Sequence, residues 1–116
     1  SIMSINIYVG PGDQNSAPYY TFYLADNVNA TQITALDITK SYTFHRLSDA
    51  ASHPFYISDS GISQASTSAI TLSGDGNATT GITSSQTFTV SFNTPAPTNL
   101  YINLFNFNYK TIKLNI

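Results

Sequence analysis

A chain of 116 residues with no cysteine is the length of one domain and must hold its core without a disulfide. Four basic residues (Lys40, Arg46, Lys110, Lys113) face six acids, all aspartate, for a net charge of −2, so no basic patch is available for nucleic acid. No apolar run reaches the roughly 18 residues that a membrane-spanning helix needs.

Fifteen Ser, fifteen Thr and eleven Asn carry the polarity, glutamate is absent, and fifteen aromatics (eight Tyr, seven Phe) can fill a core. That is strand composition rather than helix composition. Met3, Ile5, Ile7 and Val9 alternate with Ser4, Asn6 and Tyr8 and predict a half-buried first strand, stopped by Gly10-Pro11-Gly12-Asp13. No charged region followed by an apolar stretch precedes it, so no signal peptide is read at this end, where Ser1-Ile2-Met3 stand. Pro18 to Leu24 reads as an aromatic strand, Ala25 to Ala30 as a loop, and Ile33 to Ile38 as a short strand. Ser41 to Leu47 alternates Tyr42, Phe44 and Arg46 on one face against Thr43 and His45 on the other. A polar loop, Ser48 to Ser52, leads to a strand at Pro54 to Ser58.

Asp59 to Ser68 reads as irregular or as one helical turn. Ala69 to Leu72 predicts a short strand, and Ser73-Gly74-Asp75-Gly76-Asn77 a turn or hairpin tip. In Gln86 to Phe92, alternation puts Phe88, Val90 and Phe92 inward and Thr87, Thr89 and Ser91 outward. Pro95 and Pro97 make Asn93 to Asn99 a loop. Leu100 to Phe107 and Thr111 to Ile116 are a final pair around Asn108 to Lys110. Eight or nine short strands between turn clusters, with no repeat and no linker, predict one all-β Greek-key sandwich over 1–116.

The order of these pieces resembles the small cupredoxins of the plastocyanin and azurin type. The residues that carry the resemblance are Tyr42-Thr43-Phe44, His53-Pro54-Phe55-Tyr56-Ile57, Phe88-Thr89-Val90, Thr94-Pro95-Ala96-Pro97 and Leu100-Tyr101-Ile102. The resemblance implies a cupredoxin-like sandwich with a copper thiolate near Asn103 or Leu104, a second imidazole near Asn106 or Phe107, and an axial ligand near Tyr109. A blue-copper site needs a thiolate and two imidazoles with a weak axial sulfur. This chain has no Cys and no His beyond His53, so no cofactor is expected, and His53 stands only as a vestigial metal candidate. One imidazole alone holds a metal weakly. The expectation is a half-buried His53 ring bonded to a neighbouring loop, worth about 1–2 kcal/mol. Tyr19, Tyr20, Tyr23, Tyr42, Tyr56 and Tyr101 are expected to pack the core margin with polar tips outward.

Enzyme signals are thin. No Gly-x-Ser-x-Gly elbow is present; His45 and His53 flank Ser48-Asp49-Ala50-Ala51-Ser52, which reads as a polar turn, since loop proximity does not build a triad. Asp49 with Asp59, and Asp26 with Asp37, are carboxylate pairs with nothing to single either out for glycoside chemistry. Gly74-Asp75-Gly76-Asn77 lacks the alternating oxygen ligands of a calcium loop. Two sequons, Asn29-Ala30-Thr31 and Asn77-Ala78-Thr79, fall in predicted loops.

A low-charge surface rich in Ser, Thr and Asn, together with a long aromatic final segment, predicts a non-catalytic structural or interaction module. The expected setting is a repeating surface assembly, a virion coat or decoration layer or an extracellular filament, with another copy or another structural protein as partner. Tyr101, Phe105, Phe107 and Tyr109 are the expected interaction residues, guarded as an edge only by Lys110 and Lys113. The alternative is a monomeric binding module for a metal ion, a sugar or another small ligand, built on His53 and nearby loops.

Overall fold

The computed structural model describes residues 4–11, 20–61, 64–97, 100–104 and 113–114. Nine strands lie among the described residues: β1 (Ser4–Pro11), β2 (Tyr20–Tyr23), β3 (Gln32–Ile33), β4 (Ser41–Arg46), β5 (Phe55–Ser58), β6 (Ile70–Gly74), β7 (Phe88–Phe92), β8 (Leu100–Leu104) and β9 (Lys113–Leu114). They form a six-stranded sheet in the order β3-β2-β1-β4-β7-β6 and a three-stranded sheet in the order β5-β8-β9. This is the all-β sandwich that the composition and strand spacing predict.

The six-stranded sheet is mixed. β1 pairs antiparallel with β2 and parallel with β4, from Ser4 opposite Ser41 to Val9 opposite Arg46. A parallel pair needs a long crossover, and residues 12–40, with β2 and β3 inside them, supply it. Thr43 and Thr89 face each other across β4 and β7 and share a hydroxyl hydrogen bond of 2.9 Å.

Apolar alternation sets the inner faces. Ile7 and Val9 of β1, Phe22 of β2, Tyr42 and Phe44 of β4, and Phe88 and Val90 of β7 are all buried. Phe55 of β5 crosses from the smaller sheet and fills the centre. Its ring lies 5.2 Å from Tyr20, 5.4 Å from Phe44, 5.6 Å from Phe22 and 6.0 Å from Phe88. Such ring pairs add to simple area burial. All four β5 residues are buried, consistent with an apolar run rather than alternation.

Several boundaries differ from the expectations. The strand expected at Ile33 to Ile38 is only Gln32–Ile33. Asp37 Oδ1 accepts hydrogen bonds from both the amide and the hydroxyl of Thr39, and that local turn competes with a ladder. β6 runs on through Ser73 and Gly74, which pair with Thr89 and Phe88, so the turn begins later than the glycines suggest. β1 extends through Pro11, which pairs with Tyr20 after the β4 ladder has ended. Phe92 is half-buried against the core rather than fully inward. Met3, Gly12, Asp13, Pro18 and Tyr19 fall outside the described residues.

Candidate functional site

The face of β4 that carries Tyr42 and Phe44 also carries Arg46, and the sandwich buries it to 2% exposure. Its Nε donates to the Val9 carbonyl at 3.2 Å, and Nη1 donates to the carbonyls of His53 at 2.8 Å and Ile82 at 3.2 Å. Three chain segments distant in sequence are thereby tied to one guanidinium. No ion pair to Arg46 occurs among the described residues. Burial lowers its pKa, and the nearby Tyr20 hydroxyl opposes that shift. Tyr20 is in turn pushed up to about 12 by burial, with the Arg46 cation pulling the other way. Its hydroxyl donates to the Pro54 carbonyl at 2.8 Å. The approach to β5 is thus held from two sides, by Arg46 at His53 and by Tyr20 at Pro54.

His53 itself sits at φ +53°, and its side chain is exposed, not half-buried as expected. Its main-chain carbonyl accepts from Arg46. His45 lies on the opposite face of β4 from Arg46, stacked on Tyr8 with centroids 4.6 Å apart, and its Nε2 pairs with Asn6 Oδ1 at 2.9 Å. Partial burial lowers its pKa, and Asp26 opposes the shift. Its ring is occupied by two β1 side chains.

The carboxylates serve local structure. Asp26 accepts from the Ser48 amide, Asp37 from Thr39, and Asp59 from the Thr67 amide and hydroxyl. The Thr39 hydrogen bonds hold the Asp37 carboxyl below its ordinary range. Among the described residues no group of three His, Cys, Asp or Glu could hold a metal ion. Both sequon asparagines, Asn29 and Asn77, are exposed in loops.

Tyr101 is half-buried on β8, which lies between β5 and β9. Along β8 only Tyr101 is paired on both sides among the described residues, to Ser58 of β5 and to Lys113 of β9, and β9 is the last strand of that sheet. Phe105, Asn106, Phe107 and Tyr109 lie outside the described residues, as do the side chains of Asn103 and Leu104. The tyrosine tips behave differently from expectation. Tyr20 and Tyr42 turn their hydroxyls onto main-chain groups, Tyr42 accepting from the Asp37 amide at 2.8 Å.

Two features were not legible in the sequence. β3 closes one end of the large sheet, and the large hydrophobics left exposed among the described residues, Leu24 (42%), Val28 (67%) and Ile38 (44%), all belong to the segments that flank it. At the other end, a cleft of about 520 Å³ opens between β5 and β6, lined by Tyr56, Ser66, Thr67, Ile70, Leu72 and Asn77 among others.

No protein-family model, curated protein or solved structure matches this chain.

Proposed function

We propose that this chain is a non-catalytic structural module that associates with further copies of itself through the β3 edge, within a repeating surface assembly such as a virion coat or decoration layer or an extracellular filament. The observation that carries the reading is the character of that edge. β3 is the last strand of the six-stranded sheet, and Leu24 and Val28 stand exposed in the loop that leads to it. Natural sheets guard such edges with charge. The one charged residue between Leu24 and Leu36 is Asp26, and its carboxylate is spent on the Ser48 amide. Among the described residues no strand other than β2 pairs with β3, and an edge beside apolar side chains suits strand addition by a neighbouring subunit. β3 is two residues long, so each contact is weak, and repetition supplies the strength.

The cupredoxin-like reading belongs to the same proposal. Of the residues that carry the resemblance, Tyr42-Thr43-Phe44 lies on β4, Phe55-Tyr56-Ile57 on β5, Phe88-Thr89-Val90 on β7 and Leu100-Tyr101-Ile102 on β8, while His53-Pro54 and Thr94 to Pro97 lie between strands. Asn103 and Leu104, where a thiolate would fall, pair with Tyr56 and Phe55, close in sequence to His53. The scaffold is thus read as one that keeps the strand framework of a copper carrier without its donors.

Sedimentation velocity over a wide concentration range tests the assembly. The wild-type chain is expected to form concentration-dependent oligomers, and Leu24→Lys with Val28→Glu to leave a folded monomer of unchanged stability. Both positions are exposed, so a cost above about 0.5 kcal/mol is not expected. A wild-type chain that stays monomeric at high concentration refutes the proposal.

A further inference from the structure

The two end strands of the large sheet, β3 and β6, both run in the direction of β1. β3 is reached from β1 through two antiparallel pairings, and β6 through parallel β4 and two antiparallel pairings. Among the described residues each has a single neighbouring strand. At one end the Leu24 amide donates to the Thr31 carbonyl at 2.8 Å, and antiparallel alternation then turns the main-chain amide and carbonyl of Gln32 away from β2. At the other end, bonds from the Asn93 amide to the Ala69 carbonyl at 2.9 Å and from the Asp75 amide to the Thr87 carbonyl at 2.8 Å bracket the ladder between β6 and β7. The same alternation turns the main-chain groups of Ile70 and Leu72 to the free side.

Repetition sets a further condition. β3 on β3 is an isologous contact, which closes at a dimer, whereas a contact that propagates joins two different surfaces. We propose, resting on the self-association through β3 above, that β3 of one copy adds to β6 of the next as a parallel strand with Gln32 opposite Thr71, so that the large sheet continues from copy to copy. The Gln32 amide then donates to the Ile70 carbonyl, and the Leu72 amide to the Gln32 carbonyl. This register aligns the faces of the two copies. Gln32 and Thr71 are exposed on the outer face, while Ile33 and Leu72 pack against the core on the inner one. A slip of one residue would set inner side chains against outer ones. Leu24 shares the face of Phe22 and Ile33, so it comes to the joint on the inner side, where Tyr56, Ile70 and Leu72 floor the cleft. No residue lining the cleft is charged, and Asp26 is spent on the Ser48 amide, so the joint traps no unpaired charge.

Two half-blocked variants of the full chain test the joint by sedimentation velocity. One is Leu24→Lys with Val28→Glu at the β3 end; the other is Gln64→Lys with Ala65→Lys on the wall of the cleft at the β6 end. All four positions are exposed, and circular dichroism checks that both variants stay folded. The wild type is expected to grow past a dimer as its concentration rises. Each variant alone is expected to stay monomeric, and their equimolar mixture to give a one-to-one dimer and nothing larger, because each supplies the end that the other lacks. Hydrogen exchange at the Gln32 and Leu72 amides of the assembled wild type is expected to slow about tenfold or more relative to the dilute chain. The β3–β6 joint is overturned, and self-association through β3 left standing, if the β6-end variant associates by itself, if the mixture gains nothing, or if the wild type assembles without slower exchange at Leu72. A wild type that stays monomeric overturns both.

Discussion

Replacing Arg46 by Met tests whether one buried cation fastens the sandwich. The substitution keeps an unbranched chain of similar reach and removes every donor. It deletes hydrogen bonds to the carbonyls of Val9, His53 and Ile82. Bonds from a charged donor contribute about 1.5–3 kcal/mol each, so the three together contribute about 4.5–9 kcal/mol. Against this stands the desolvation of the ion, several kcal/mol, which the Met variant escapes. The carbonyls left behind decide the sign: the Val9 carbonyl is buried and gains nothing from Met, whereas the Ile82 carbonyl keeps the Phe55 amide at 3.1 Å and the His53 carbonyl is only partly buried. A net loss of about 2–4 kcal/mol is expected, which lowers the melting temperature by roughly 10–20 °C in a chain of this size. Urea and thermal unfolding followed by circular dichroism and tyrosine fluorescence would measure it. A variant as stable as the wild type, or more so, refutes the reasoning: the guanidinium would then be a tolerated burden rather than a fastener.

Phe44 is fully buried among Phe22, Phe55 and Phe88, so Phe44→Ala should cost about 3–5 kcal/mol in urea unfolding. Burial pushes the Tyr20 hydroxyl up to about 12 from an ordinary value of 10.0, so the unfolded chain loses its proton first as pH rises. Its contribution is complete below pH 10 and is lost between about pH 10 and 12, worth about 2–3 kcal/mol. Stability measured across that window should fall less steeply in Tyr20→Phe than in the wild type. Gly76 has φ +74°, and a Cβ there would lie 2.7 Å from the Gly81 carbonyl oxygen. Gly76→Ala should cost about 1–3 kcal/mol by the same unfolding assay, with the loss confined to the turn in hydrogen exchange.

The parts of the fold that could be read beforehand are those where a local period fixes a face. Tyr42, Phe44 and Arg46 share one side of β4, and Phe88 and Val90 share one side of β7; both strands obey that alternation. Even the inward direction of Arg46 is legible in the pattern. Its partners are not, because Val9, His53 and Ile82 converge only after three separate segments have folded. The shortness of β3 escaped for a different reason: the Asp37–Thr39 turn competes with the ladder. The cleft escaped because it belongs to no motif. Its floor comes from β5 and β6, which lie in different sheets. His53 drew attention as a metal donor, and the carbonyl bond it makes to Arg46 could not be read from the sequence.

The parallel pairing of β1 with β4 bears on how the polypeptide is made. As the chain leaves the ribosome, Ser4–Pro11 can turn back on β2 at once, but its other flank stays bare until Ser41–Arg46 emerges, and the next ladder waits for Phe88–Phe92. Closure therefore waits on ladders between segments far apart in the chain, and refolding in the millisecond-to-second range typical of non-local β topologies follows. In that interval the nascent chain exposes the apolar face of β1, which is when a chaperone would matter most.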